Sequence, residues 1–264
     1  DGTERLAGYA EATRGCLHLC RHCPLPAIYR GRLFAVPVET VLADVAGQVA
    51  AGITHLTLGD PDFLNGPAHA VRLARELRRR FPRLTFDFTA KVEHLVRHAP
   101  LLPELVASGA VFATTAVESL SEVVLERLAK GHTRRDVFLA FEACDGARLP
   151  LRPTLVPFTP WETLDGFLDV VETFERMGWL SRLDPVQLSL RLLAAPLLAV
   201  VIPGDRLEGL AVEQVGRGDA ARFADRREDL RPGEPAAGHV EPAHGLALAE
   251  HFGELAPEDA EGIG

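Results

Sequence analysis

Cysteine is scarce: four residues in a chain of 264, too few for a disulfide scaffold at this length. Positive charge is not in excess either. The formal net charge is −9, which argues against a surface built to wrap nucleic acid. No apolar run is long enough to span a bilayer, and the longest, residues 192–203, contains Pro196. No signal or transit peptide is visible, and the only methionine is Met177. These absences predict a cytoplasmic protein with no membrane and no nucleic-acid partner. The first residue, Asp1, is expected to lie inside a longer gene product or to follow processing. What is present is apolar: 47% hydrophobic residues and a mean hydropathy of +0.07 allow a sizeable core and exclude global disorder.

Charge is distributed unevenly. Residues 204–264 hold 14 acidic residues against 6 arginines, a net of −8. The other 203 residues hold 23 acidic and 22 basic ones, a net of −1. The acidic tail has little periodicity of either kind, apart from a possible short helix over 246–255, and reads as a C-terminal extension. Residues 1–203 alternate short β-like runs (8–13, 53–58, 84–89, 111–116, 151–156, 186–190) with amphipathic segments (38–51, 68–81, 93–108, 121–129, 134–147, 162–177). Six such units imply parallel strands joined by right-handed crossovers. The expected fold class is α/β, a barrel or an open parallel sheet. Either form binds ligands at the carboxyl ends of its strands.

After the first strand come Cys16, Cys20 and Cys23, spaced C-x3-C-x2-C. Thiolates are soft ligands suited to iron–sulfur clusters and to zinc. Three of them can hold three irons of a cubane and leave one corner open. The alternative is a structural Cys3His zinc site completed by His18, His22 or His55, which would make the protein an interaction module. Cys144, on an amphipathic segment, reads as a buried apolar side chain.

The cysteine spacing after the first of six βα units resembles the radical S-adenosylmethionine (SAM) superfamily over about residues 5–195. That resemblance implies a partial (β/α)6 TIM-like barrel. It also implies a [4Fe–4S] cluster on Cys16, Cys20 and Cys23, with SAM on the open iron. It brings in a flavodoxin- or ferredoxin-like electron donor and a small-molecule substrate. His22 stands where the family has an aromatic residue near the adenine. Gly59-Asp60 stands in place of a Gly-Gly-Glu segment, one glycine short, so that Asp60 would meet the SAM ammonium. Ala116-Val117-Glu118-Ser119, followed by Lys130-Gly131-His132-Thr133, resembles the Gly-Val-Glu-Ser and Lys-Gly-His/Phe-Thr run of several radical SAM subfamilies, in which the Glu and Ser lie beside SAM. Lys91, Arg152 and Arg191 are candidates for its carboxylate. Each has an ordinary reading as well: turn chemistry for Asp60, a helix cap for Ser119, a solvated helix start for Lys91, surface or packing for Arg152.

Residues 152–161 and 184–193 further resemble a radical SAM group named for a Cys-Cys-Ala-Glu-Pro tail, neighbour to the arsinothricin enzymes that transfer the 3-amino-3-carboxypropyl arm of SAM. That tail is missing here: His239-Val240 precede Glu241-Pro242, and no cysteine follows Cys144.

Overall fold

In the computed structural model, the described residues are 6–184. Five parallel strands form one sheet in the order β1 (Ala7–Ala10), β4 (His55–Leu58), β5 (Thr85–Thr89), β6 (Ala110–Glu118), β7 (Leu151–Leu155). Between the first and second of these lies a two-stranded antiparallel hairpin, β2 (Thr13–Gly15) with β3 (Leu33–Ala35), which encloses the cysteine loop and the short helix α1 (Leu25–Tyr29). The crossovers are α2 (Val38–Ala50), α3 (Pro67–Arg80), α4 (Val92–Arg97) with α5 (Leu102–Ala107), and α6 (Glu122–Arg127) with α7 (Arg134–Gly146); α8 (Leu164–Arg176) follows β7. The sixth expected strand, 186–190, lies outside the described residues, as do Arg191 and the acidic tail.

Alternation along the strands explains the layering. Leu56 and Leu58, Phe86 and Phe88, Ala113, Leu151 and Leu155 belong to the buried core together with Val41, Leu42 and Val45 of α2 and Leu73 and Leu77 of α3. Full burial of such a side chain is worth about 1.5–3 kcal/mol. The intervening residues are of another kind: Thr57, Asp87, Thr89, Thr114, Arg152 and Thr154. This polar face is what a barrel interior requires.

Two expected elements are divided. The first strand ends at Ala10, and the chain restarts in the hairpin at Thr13. The helix expected over 93–108 breaks into two around a 3-10 turn at Ala99–Leu101, because Pro100 and Pro103 cannot donate the interior hydrogen bonds.

Candidate functional site

The cysteine loop leaves β2 at Gly15, whose φ of +84° and 2.3 Å clearance from the Arg32 carbonyl to any added Cβ exclude other residues. Along the loop, side chains alternate. Leu17, Leu19 and Arg21 are exposed, whereas Cys16 and His18 are half-buried and Cys20 is buried. The Arg21 amide donates to the Leu128 carbonyl at 2.9 Å, and the Cys23 amide to the Cys20 carbonyl at 3.2 Å. Cys16 Sγ accepts from the His18 amide at 3.4 Å and from Asn65 Nδ2 at 3.3 Å. Burial pushes the Cys23 thiol up, so its ionisation calls for a bound cation.

All four cysteines are free. Two thiolates on one tetrahedral zinc would stand about 3.8 Å apart, given bonds of about 2.3 Å. Among the described residues, the only trio of potential ligand atoms within 4.8 Å of one another is His18, Asp62 and His94; the three sulfurs are not all gathered within that distance. The imidazoles considered for a fourth zinc ligand are engaged elsewhere. His18 Nε2 lies 3.2 Å from His94 Nε2, His22 Nε2 lies 3.2 Å from Glu118 Oε1, and His55 bridges Thr85 and Asp87 at 2.7 and 2.9 Å.

Glu118 ends β6 on the barrel side, where the register with β7 slips. Its φ is +66°, and the Ser119 amide closes a tight turn onto the Val117 carbonyl at 2.9 Å. A left-handed non-glycine residue costs on the order of 1–3 kcal/mol and persists where its surroundings enforce it. Here the enforcement is electrostatic: Glu118 Oε1 receives Lys130 Nζ and His22 Nε2, each at 3.2 Å. Burial opposes its charge, yet these two partners hold its carboxyl below the ordinary range. Oε2 receives no hydrogen bond from any described residue, which leaves an acceptor for a ligand.

Lys91 sits before α4 with its Nζ buried and 3.7 Å from Glu93 Oε2, without a hydrogen-bond partner. An ammonium so placed suits an anionic ligand. Lys91 and Lys130 are the only lysines in the chain, and both are buried at this edge. That rarity was the signal for Lys130, which the sequence reading left out of the site. His132 was also left out; burial, with Lys130 nearby, lowers it to about 4, so it is a neutral imidazole, with its Nε2 3.3 Å from the Val117 carbonyl.

Four of the residues expected at the site already have neighbours within the protein. Asp60 is fully engaged within the protein, Oδ2 by the Ala12 amide at 2.9 Å and Oδ1 by the Thr13 hydroxyl at 2.6 Å. It pins the break between β1 and β2, so its visible task is to position the cysteine hairpin. At Gly59 the exposed Tyr9 ring packs close, its hydroxyl 1.9 Å from where a Cβ would stand, so a larger residue there displaces that ring. Ser119 Oγ donates to Glu162 Oε2 at 2.6 Å and accepts the Ser121 amide at 2.9 Å, a turn just before α6, whose N-cap Ser121 makes no side-chain capping bond. Arg152 pairs in register with Thr114, and its guanidinium lies 4.1 Å over the Phe112 ring, set back in the interior from the Glu118 edge. Asp62, at the end of β4, is buried with Oδ2 2.7 Å from His94 Nδ1, though not aligned for a hydrogen bond. Asp62, His94 and His18 thus form a chain from that end to the cysteine loop.

Comparison with known proteins accords with this geometry. Over 205 residues the chain is 27% identical to the ribosomal protein uS12 methylthiotransferase RimO of Methylococcus capsulatus, covering 70% of this chain and 45% of that protein. The structure of the radical SAM methyltransferase TsrM of Kitasatospora setae, with cobalamin and a [4Fe–4S] cluster, superposes with a TM-score of 0.56 at 21% identity, over 65% of this chain and 32% of that one. The cobalamin-dependent SAM radical enzyme OxsB gives 0.55 at 22% identity, over 75% and 30%. The chain spans less than half the length of each. The model of the radical SAM superfamily matches residues 11–172. The chain therefore belongs to the radical SAM superfamily of enzymes, which use a [4Fe–4S] cluster and SAM.

Proposed function

We propose that this protein cleaves SAM reductively at a [4Fe–4S] cluster held by Cys16, Cys20 and Cys23, in a reducing cytosol, and directs the resulting carbon radical to a small-molecule substrate. The observation that carries the reading is the convergence on one strand edge of the free thiols, the His22–Glu118–Lys130 cluster and the buried Lys91 ammonium, which makes no hydrogen bond. The residues fit the cofactor: the three thiols are not all gathered within 4.8 Å of one another, and Cys16 Sγ already accepts two N–H donors. Bound there, the cluster supplies one electron to the sulfonium of SAM.

The chain's own share is binding and orientation. Lys91 takes the SAM carboxylate, Glu118 Oε2 accepts from the SAM amino group or a ribose hydroxyl, and the His22 ring, held by its edge on Glu118, offers a face to the adenine. His132, neutral, leaves the charge of this edge to the two lysines. The polar interior face, with Thr89, Thr114, Thr154 and Arg152, receives the substrate.

Anaerobic reconstitution tests this. A brown protein with one cubane of iron and sulfide per chain, cleaving SAM with dithionite, is expected, and Cys16→Ala, Cys20→Ala or Cys23→Ala should abolish both colour and cleavage. Colourless protein carrying zinc, or full turnover in any of those variants, overturns the reading. Product analysis separates deoxyadenosine from aminocarboxypropyl transfer.

A further inference from the structure

The carboxylate of Asp62 is buried without a fixed counter-charge. It ends β4 at 1% exposure, and no lysine or arginine forms an ion pair with it among the described residues. Its Oδ1 is committed to backbone, accepting the Leu64 amide at 3.2 Å and the Lys91 amide at 3.4 Å. Its Oδ2 has no hydrogen-bond partner among the described residues. Facing it at 2.7 Å is His94 Nδ1 of α4, 4% exposed and likewise without a hydrogen bond. The other His94 nitrogen lies 3.2 Å from His18 Nε2 on the cysteine loop, and the two rings meet edge to face. A carboxylate oxygen and two imidazole nitrogens thus gather within 4.8 Å from three separate elements. The neighbouring cations turn to another group: Lys91 Nζ lies 3.7 Å and Arg97 Nη2 2.5 Å from the Glu93 carboxylate.

We propose that Asp62, His94 and His18 form a second metal site, for a single divalent first-row transition ion, beside the cysteine loop. Buried charges are paired or coordinate metals, and a dication here gives Asp62 the opposite charge that the fold withholds. The donor set fits: two imidazoles and one carboxylate suit zinc and ferrous iron, whereas magnesium and calcium prefer oxygen alone. The spacing fits as well. Two ligand atoms on one such ion stand about 3.0–3.4 Å apart, given bonds of about 2.0–2.2 Å, and the neighbouring contacts are 2.7 and 3.2 Å. Only one His94 nitrogen can bind the ion, so a turn of the half-buried His18 ring on its loop closes the trio. Asp62 is aimed for the task by its other oxygen, which the two amides fix in place. Three protein ligands leave a position open for water or for a donor atom of another molecule. No thiol takes part, so the site is separate from the cluster proposed above and does not depend on it.

Metal analysis tests this. The protein is reconstituted anaerobically with iron and sulfide, desalted over a weak chelating resin, supplied with zinc and desalted again. About one zinc per chain should be retained beyond the cluster iron, and its X-ray absorption edge should show a shell of nitrogen and oxygen with no sulfur. His94→Gln should weaken zinc binding about tenfold or more while keeping its cluster iron and sulfide, and His18→Asn should weaken it likewise. Circular dichroism checks that the variants fold; should His94→Gln fail to fold, the absorption edge of the unaltered protein decides. No retained zinc, zinc ligated by sulfur, or full retention in both variants overturns the proposal. A protein that takes up no cluster refutes the function proposed above, and zinc held by nitrogen and oxygen in that same protein still upholds this site.

Discussion

Two strand ends of the same sheet bury a carboxylate, and they bury it for opposite purposes. At the end of β4, Asp60 is surrounded by neutral donors, the Ala12 amide and the Thr13 hydroxyl. Burial dominates there and raises its carboxyl above the ordinary value. At the end of β6, Glu118 is buried as deeply, but Lys130 and His22 meet it, and it falls below the ordinary range. Burial alone does not set the charge of a side chain; its partners do. The first arrangement fixes backbone, holding the hairpin that carries the cysteines. The second keeps a charge at the mouth of the barrel, with one oxygen left for a ligand.

The comparison breaks most sharply at Lys130. Lys130→Met leaves Glu118 buried with a single weak partner, and a cost of about 3–5 kcal/mol is expected, because the remaining charge is uncompensated. Chemical denaturation at neutral pH measures it, and SAM affinity should fall with it. Glu118→Gln alongside Lys130→Met should recover part of the stability but none of the binding.

The pH dependence separates the two ends. Glu118, with its carboxyl lowered, contributes stability that is present above its unfolded value and lost as pH falls through the folded one. Asp60, raised, contributes stability that is present below its unfolded value and lost as pH rises through the folded one. His132 adds to the acid side: it must be neutral in the fold, so stability falls between pH 6.5 and about 4, by on the order of 3 kcal/mol in all. Urea midpoints across that range should flatten in His132→Gln and stay sloped in Asp60→Asn. A slope that survives His132→Gln would move the effect to another group.

The smallest effect belongs to Asp60→Asn at neutral pH. One hydrogen bond is lost and an amide N–H is turned toward the Ala12 amide or the Thr13 hydroxyl, costing about 1–3 kcal/mol. Since Asp60 holds the hairpin, cluster content after reconstitution should drop more than thermal stability does. Unchanged iron loading would show that the hairpin is held by β3 alone.

The barrel and its thiols could be read from the sequence because period and spacing report them directly. The strands expected over 53–58, 84–89 and 151–156 correspond to β4, β5 and β7, with ends moved by at most a few residues. Helix α1 and strand β3 had no such signal: α1 is five residues and β3 three, too short for a period to register. Side-chain roles were less legible where they depend on three-dimensional neighbours. Asp60 looked like a ligand because its position in the chain matches one, yet what it touches comes from residues 47 and 48 positions away. Glu118 was found through its motif, but its left-handed backbone and its pairing with Lys130 emerge only when β6 and the connection between α6 and α7 meet.

The hairpin of β2 and β3 shares no ladder with the main sheet. It is tied to the barrel by side chains and single amides: Asp60 to Ala12 and Thr13, Asn65 to Cys16, His94 to His18, Glu118 to His22, and the Arg21 amide on the Leu128 carbonyl. A unit so attached opens at lower free energy than the strands behind it. The cysteine loop can therefore shift without breaking a ladder hydrogen bond of the main sheet.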